Sequence, residues 1–317
     1  MIPTSSMPIL LDESTLALHA FSLAASGWTI LPGQVDAQEL AALRAASDRG
    51  LMALKRHHDL GLPVRHYSGS KHYLAMRAMY CWDEACRRII EHPSIAALAS
   101  RVLGAHRLWD LSTMCALPVA PGDESGATGW HRDFSGSDDG PGYLWFFLCL
   151  DDVTAENGAT WAVPGSHHRG PAGAPQFPLP ETWCSDAQVT RFPTGMPLAA
   201  RAGDIMVLDP TVLHSSGRNA TLTPRRLLNI GVCRHDRKPL FDHWALAGAD
   251  VQRHASPRLR EMLDSGPSDL DQTWSVLPEG WRTEPRGESD VRRPGFGVDC
   301  RDGQRAVDET TVSVGAV

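Results

Sequence analysis

The chain is 317 residues long, 42% hydrophobic and 21% charged, with a formal net charge of −7 at pH 7, which is typical of a globular protein with a substantial core. The acidic balance and the lack of a basic run argue against nucleic acid as a partner. The longest apolar run is too short to span a membrane, no secretory signal is recognisable, and the seven cysteines show no paired spacing, so we expect a cytoplasmic protein with reduced thiols.

Helical patterns dominate the first third of the chain. After an N-terminal extension at residues 1–19, residues 24–31 are predicted to form a short strand, and Asp36 is predicted to cap a helix with apolar residues at roughly helical spacing. A second helical region is predicted over residues 83–103. It should be interrupted at His92, because Pro93 disfavours helix at the residue before it.

After Gly104 the pattern changes to short apolar or alternating runs separated by Gly, Pro, Asp and Asn. The predicted strands are residues 108–117, 143–150, 159–163, 189–192, 205–208 and 227–233. This spacing favours an antiparallel β-sandwich or barrel over βαβ units. We predict one main domain at residues 20–245, a helical segment packed on it at 246–281 with a helix at 257–263, and a polar, disordered tail at 282–317.

Two short motifs contain candidate metal ligands. His131 and Asp133 are separated by one residue, and in an extended segment that spacing places both side chains on one face. His214 follows a predicted strand and turn that can return the chain to the same place. Two imidazoles and one carboxylate on one face of an octahedral ion leave the opposite positions open, which is the arrangement of non-haem Fe(II) oxygenases.

Several sequence blocks occur in an order that is specific to one family. They are residues 27–33 with the helix that follows, 130–133, 148–153, 157–167 and 202–225. Across residues 20–235 the sequence resembles the phytanoyl-CoA dioxygenase (PhyH) family of Fe(II)/2-oxoglutarate-dependent oxygenases. The resemblance implies a mainly β protein with flanking helices and a double-stranded β-helix core, also called a jelly-roll or cupin-like core.

The resemblance also implies roles for individual residues. It assigns Fe(II) to His131, Asp133 and His214, and it implies 2-oxoglutarate as cosubstrate and O2 as oxidant. It assigns the distal carboxylate of 2-oxoglutarate to Arg225, eleven residues after His214. A guanidinium fork suits this role because it pairs with a carboxylate through two hydrogen bonds, and the adjacent Arg226 is the alternative.

Three further residues have less specific interpretations. Ser216 and Phe147 match family positions that hold or border the cosubstrate, although a turn hydroxyl and a core ring are equally good descriptions of them. His167 lies in a Pro-Gly-Ser-His-His run and is interpreted as part of a structured turn and not as a metal ligand.

The implied reaction is hydroxylation of an unactivated C–H bond in a small molecule, with release of succinate and CO2. The expected substrate is a secondary-metabolite intermediate or an amino-acid-like compound. The same iron chemistry also permits desaturation, epoxidation, cyclisation or hydroxylation of a fatty acyl-CoA. A zinc hydrolase or a non-catalytic jelly-roll binding module is the alternative of a different class, and Arg225 distinguishes them because neither needs a guanidinium directed at a dicarboxylate.

Overall fold

The computed structural model describes residues 11–59, 73–81, 83–121, 127–133, 140–169, 194–240 and 242–264. The predicted strand at 189–192 and the predicted tail at 282–317 lie outside the described residues. In the part of the chain that is described, no helix is both long and apolar enough to cross a membrane.

The helices occupy both ends of the described chain. They are α1 (Glu13–Ser26), α2 (Ala37–Asp59), a 3-10 turn (Met79–Cys81), α3 (Glu84–Ile90), α4 (Pro93–Leu103), α5 (His243–His254) and α6 (Pro257–Leu263). The predicted helices after Asp36, over 83–103 and over 257–263 are confirmed. The predicted interruption at His92 is confirmed too, since α4 begins at Pro93 with His92 as its N-cap.

Helix α1 corrects the prediction for the N-terminal region. Asp12 caps it by accepting a hydrogen bond from Thr15 N at 2.7 Å, and the helix continues to Gly27, which ends it with a left-handed φ of 84°. Residues 24–26, predicted to begin a strand, therefore belong to α1. The helix crosses the predicted boundary after residue 19, and Leu16 and Leu23 both pack against the main hydrophobic core.

Nine strands are described, and they form two antiparallel sheets. They are β1 (Trp28–Leu31), β2 (Tyr73–Arg77), β3 (His106–Ala116), β4 (Tyr143–Cys149), β5 (Thr160–Ala162), β6 (Met196–Pro197), β7 (Ile205–Leu208), β8 (His214–Ser216) and β9 (Arg225–Arg234). The larger sheet has the order β1-β7-β4-β9-β3-β2, and the smaller sheet has the order β6-β5-β8. The predicted strands that fall on β3, β4, β5, β7 and β9 are confirmed, whereas β6 and β8 are too short for a periodic signal.

Alternation along the strands of the larger sheet separates two buried layers. On β4, Leu144, Phe146 and Leu148 join the core that packs against the helices. Trp145 and Phe147 point to the opposite face, where they share a second core with residues of the smaller sheet. The helices therefore cover one face of the larger sheet and the smaller sheet covers the other, which confirms the predicted mainly β architecture with flanking helices and a two-sheet core.

The rings of two tryptophans, Trp109 and Trp145, pack against Gly231 in the layer between the sheets. Trp145 on β4 and Gly231 on β9 are direct partners, and the rings of Trp145 and Trp109 meet edge to face with centroids 4.7 Å apart. A Cβ atom on Gly231 would lie 2.7 Å from Trp109 Cε3 and 3.0 Å from Trp145 Cζ3. The missing side chain at Gly231 is thus what lets both indoles pack closely against β9.

We expect the substitution Gly231→Ala to lower the free energy of unfolding by about 1 to 3 kcal/mol, because neither buried ring can move away without disturbing its neighbours. The midpoint of urea unfolding would measure this. Gly142→Ala is the matched control, since its new Cβ would meet only the side chain of Arg237, which can move. Equal stability of the two variants would contradict the packing described for Gly231.

Candidate active site

Two backbone hydrogen bonds bring the predicted histidines side by side. His131 N donates to His214 O and His214 N donates to His131 O, each at 2.9 Å, so the two residues form an antiparallel pair at the edge of the smaller sheet. Strand β8 pairs with β5 on its other side, which fixes the position of His214. The two imidazole rings consequently lie next to each other, with centroids 4.4 Å apart.

Asp133 completes a group of three on the same side of this segment. Its backbone N donates to Pro210 O at 2.9 Å, which holds the segment against the chain that leads into β8. Asp133 Oδ1 lies 3.5 Å from His131 Nε2, and Oδ2 lies 3.7 Å from His214 Nε2. Among the described residues this is the one group of His, Cys, Asp or Glu with metal-ligand spacing, its ligand atoms all lying within 4.8 Å of one another.

The hydrogen bonds around this group leave the correct atoms available for a metal ion. His131 Nδ1 lies 2.7 Å from Gly129 O and His214 Nδ1 lies 2.8 Å from Val212 O. A carbonyl oxygen only accepts, so each Nδ1 carries the hydrogen and each Nε2 has a lone pair directed at the centre of the group. Asp133 Oδ1 is buried without a hydrogen-bond partner. Two imidazole nitrogens and one carboxylate oxygen with unmet acceptor capacity suit an Fe(II) ion.

The electrostatics of the group favour the metal-binding forms of His214 and Asp133. Burial and the charge of His131 lower the pKa of His214 to about 4, although the Asp133 carboxylate opposes this. Burial also lowers the pKa of His131, but the nearby Asp133 carboxylate outweighs burial, and the pKa is raised. Burial raises the pKa of Asp133, but the charges of the two imidazoles and the hydrogen bond from Trp145 Nε1 outweigh it, and the pKa is lowered. At neutral pH, His214 is neutral and Asp133 is ionised, as metal binding requires.

Arg225 is a buried cation between the two sheets. It begins β9 and lies on the same face as Leu227, which belongs to the core between the sheets, and only 2% of its surface is exposed. Its Nε donates to Asn157 O at 3.5 Å and its Nη2 donates to Gly158 O, whereas Nη1 is buried without a hydrogen-bond partner. Burial lowers the pKa of Arg225. A buried guanidinium with an unmet donor is suited to an anionic ligand.

Arg226 points to the opposite face and is already paired. Its Nε and Nη2 donate to the two carboxylate oxygens of Asp151 at 2.9 and 2.7 Å, and its Nη1 donates to Asp48 Oδ1 at 2.6 Å. The hydrogen bonds to Asp151, and then the one to Asp48, raise the pKa of Arg226. Because side chains alternate along a strand, Arg225 points to the interior and Arg226 points towards α2. The structure thereby distinguishes the two arginines that the sequence left as alternatives.

The guanidinium of Arg225 lies within reach of the histidine group along β8. A Cβ atom on Gly158, whose φ is +93°, would lie 3.0 Å from Gly217 O and 3.3 Å from Arg225 Nη2. Arg225 therefore lies beside Gly217, three residues after His214 in extended chain. At the usual rise per residue of a strand this separation is roughly 10 Å, a distance that a bound dicarboxylate can bridge.

Ser216 and Phe147 lie on the same inner surfaces. Ser216 shares its face of β8 with His214, and its backbone N donates to Thr128 Oγ1 at 2.7 Å. Phe147 is 7% exposed and stacks on Trp145, with ring centroids 5.7 Å apart. All six predicted site residues thus line the space between the two sheets.

Three further residues in this space were not predicted. Trp145 Nε1 donates to Asp133 Oδ2 at 2.8 Å, Tyr73 OH donates to Gly217 O at 2.6 Å, and Asn229 Oδ1 is buried without a hydrogen-bond partner. Trp145 lies on the same face of β4 as Phe147, and Asn229 lies on the same face of β9 as Arg225. The two-residue period of a strand could therefore have identified both from the sequence. Tyr73 carried no local signal, because its partner lies 144 residues away.

His167 is placed away from the three-residue group. His167 Nε2 and His168 Nε2 lie 3.1 and 2.9 Å from the same acceptor, Ala24 O, in the last turn of α1. Both imidazoles therefore donate to the C-terminal end of a helix, where carbonyl groups lack partners within the helix. This contact agrees with the interpretation of His167 as part of a structured turn.

Two curated relatives share this part of the chain. The dioxygenase af480 of Aspergillus fumigatus is 31% identical over 186 residues, which cover 57% of this chain and 55% of the fungal protein. The L-proline trans-4-hydroxylase of Streptomyces griseoviridis is 26% identical over 193 residues, which cover 54% of this chain and 71% of that enzyme. The chain thus matches little more than half the length of the fungal relative.

A solved structure and a family model also match this chain. The non-haem alpha ketoglutarate dependent epimerase SnoN from nogalamycin biosynthesis is 25% identical, with a TM-score of 0.52 over 70% of this chain and 84% of that chain. A second SnoN structure contains Fe3+, alpha ketoglutarate and nogalamycin RO. The family model described as phytanoyl-CoA dioxygenase (PhyH) matches residues 24–227, well over half of the chain. The chain therefore belongs to the phytanoyl-CoA dioxygenase family of iron- and 2-oxoglutarate-dependent oxygenases.

Proposed function

We propose that this protein is a dioxygenase that hydroxylates an unactivated C–H bond of a small molecule and converts 2-oxoglutarate to succinate and CO2. The observation that carries the proposal is the Arg225 guanidinium, which is buried between the sheets with Nη1 lacking a hydrogen-bond partner. Among the described residues, no carboxylate forms an ion pair with it. An isolated buried cation is costly, and a bound dicarboxylate removes that cost.

We propose that His131 Nε2, His214 Nε2 and one oxygen of Asp133 hold the iron. When bound, iron supplies the oxidising chemistry that no protein side chain provides. The protein keeps both imidazoles in one tautomer through the carbonyls of Gly129 and Val212, and it keeps the carboxylate ionised. These contacts orient the ligands before the metal arrives.

We propose that Arg225 binds the distal carboxylate of 2-oxoglutarate, and that Ser216 and Phe147 line the remainder of its pocket. The separation of roughly 10 Å between His214 and the neighbourhood of Arg225 suits a cosubstrate that reaches from the iron to the guanidinium. Ser216 lies on β8 between these two points, on the face that carries His214. Phe147 closes the opposite side from β4, with 7% of its surface exposed.

We propose a substrate with apolar surface and at least one hydrogen-bonding group. The inner face of the larger sheet presents the rings of Trp109, Trp145 and Phe147, and the buried Asn229 amide lies among them with its oxygen unpartnered. Such a wall suits a natural-product intermediate or an amino-acid-like compound. The relatives named for L-proline hydroxylation and for nogalamycin biosynthesis support this class.

Hydroxylation is the preferred outcome because it requires no further group from the protein. Desaturation, epoxidation and cyclisation use the same metal ligands and differ in how the substrate is placed. The epimerase name of SnoN belongs to a protein with the same fold, so the fold alone does not select the outcome.

Anaerobic titration with Fe(II) and 2-oxoglutarate tests the function. We expect wild-type protein to develop the weak visible charge-transfer band of the chelate. Arg225→Met should need on the order of 10 to 100 times more 2-oxoglutarate, since a hydrogen bond to a charged group is lost. Arg226→Met is the matched control and should need no more than wild type, because Arg226 pairs with Asp151 and Asp48 instead.

Two results of this titration would overturn the proposal. Folded, metal-loaded wild-type protein without a band would favour a zinc hydrolase or a binding module. A band that is equally easy to form in Arg225→Met would remove Arg225 from the cosubstrate site, and an effect confined to Arg226→Met would assign the role to its neighbour.

Metal binding gives a separate test of the ligand set. We expect His214→Ala to weaken Co(II) binding by more than about 100-fold, because an imidazole directed at the metal is removed from the group of three. His167→Ala should bind Co(II) like wild type, since that imidazole contacts Ala24 O at the end of α1. Calorimetric titration would measure both. Equal losses in the two variants would contradict the assignment of His214.

A further inference from the structure

We propose that the indole N–H of Trp145 is a positioning group that restricts Asp133 to one-oxygen coordination of the metal and so keeps a coordination position open. This inference rests on the proposed function. It concerns a contact within the chain that the ligand assignment by itself does not explain.

The two oxygens of Asp133 have different environments. Trp145 Nε1 donates to Oδ2 at 2.8 Å, whereas Oδ1 is buried without a hydrogen-bond partner. Both side chains are almost fully buried, with Trp145 3% and Asp133 1% exposed, so water does not compete for this contact. One oxygen is therefore occupied by a protein donor and the other is left for the metal.

The number of positions that Asp133 occupies matters for the chemistry. Two imidazoles and a single carboxylate oxygen leave three positions of an octahedral ion, enough for a chelating 2-oxoglutarate and O2. A carboxylate bound through both oxygens would take one of these positions. A hydrogen bond to Oδ2 opposes this, since the N–H would have to be given up in a buried site.

Trp145 is suited to this task because its ring cannot turn away. Its centroid lies 4.7 Å from that of Trp109 in an edge-to-face contact and 5.7 Å from that of Phe147 in a stacked contact. Its backbone is held between Leu208 on β7 and Gly231 on β9. An indole N–H donates and never accepts, and it has no charge, so it fixes Oδ2 without changing the net charge of the site.

Satisfying a buried indole is not a sufficient reason for the contact. The Nε1 atoms of Trp28 and Trp161 are also buried, and neither has a hydrogen-bond partner. The fold therefore tolerates unpaired indole N–H groups, and the pairing of Trp145 with a candidate metal ligand calls for another explanation. Trp161 also provides a matched control, because loss of its N–H removes no hydrogen bond.

The test replaces Trp145 by 3-benzothienylalanine, which keeps the shape of the side chain and puts sulfur in place of the N–H. The same replacement at Trp161 is the control. Each protein is loaded anaerobically with Fe(II) and 2-oxoglutarate, the charge-transfer band is recorded, and nitric oxide is titrated as a probe of the open position, followed by electron paramagnetic resonance of the high-spin iron–nitrosyl signal.

We expect all three proteins to form the charge-transfer band. The Trp145 replacement should need about tenfold or more nitric oxide for half-saturation, while the Trp161 replacement matches wild type. Bands in all proteins with equal nitric oxide affinities would overturn the role of Trp145 and leave the proposed function standing. No band in wild type would overturn both.

A replacement at Trp145 that loses iron altogether would also overturn the proposal, because the N–H would then be needed for metal retention and not for the open position. Trp145→Phe gives a second measurement with natural residues. It should reproduce the nitric oxide effect while retaining the band, and a band lost in Trp145→Phe but kept in the benzothienylalanine protein would assign that loss to packing.

Discussion

The candidate active site depends on the reciprocal pair of backbone hydrogen bonds between His131 and His214. These bonds join a segment that precedes β4 to a strand that follows β7, so residues 83 positions apart in sequence come to face each other. Because the bonds are made by the backbone, they leave both imidazoles available. Each ring is then oriented by the carbonyl group two residues earlier in its own segment. In each segment, a few neighbouring residues therefore fix both the position and the tautomer of the histidine.

Strand periodicity decides which charged side chain enters the interior. Arg225 and Arg226 are consecutive, and sequence spacing alone left them as alternatives. Their direction follows from the hydrophobic residues further along β9, since Leu227 belongs to the layer between the sheets and Leu228 to the layer against the helices. Residues that have no part in the chemistry thereby fix which guanidinium is buried.

The parts of the molecule that the sequence predicted well are those with a local signal. The long strands are visible from hydrophobic period, the cap at Asp36 from its residue type, and the helix break at His92 from the proline that follows it. His131 and Asp133 are visible as candidate metal ligands because one residue separates them. Helix α1 was partly misassigned because the capping signal at Gly27 was read as part of a strand.

Contacts between distant segments had no such signal. The hydrogen bond from Tyr73 to Gly217 joins two sheets, and the indole of Trp145 reaches Asp133 from another strand. Neither residue occupies a recognisable motif, and each becomes informative only when the register of the strands is known. Patterns of period two indicate which face a side chain occupies, but not which partner stands opposite.

Three of the buried side-chain atoms without a hydrogen-bond partner belong to the candidate site, and this connects stability with function. Asp133 Oδ1, Arg225 Nη1 and Asn229 Oδ1 all lie between the sheets, and each lacks a hydrogen-bond partner. Each such atom costs about 1 to 3 kcal/mol in the folded protein. The apolar layer between the larger sheet and the helices offsets that cost and is separate from the site. Because the stabilising layer and the reactive layer lie on opposite faces of one sheet, side chains on the inner face can be selected for binding while those on the outer face maintain the fold.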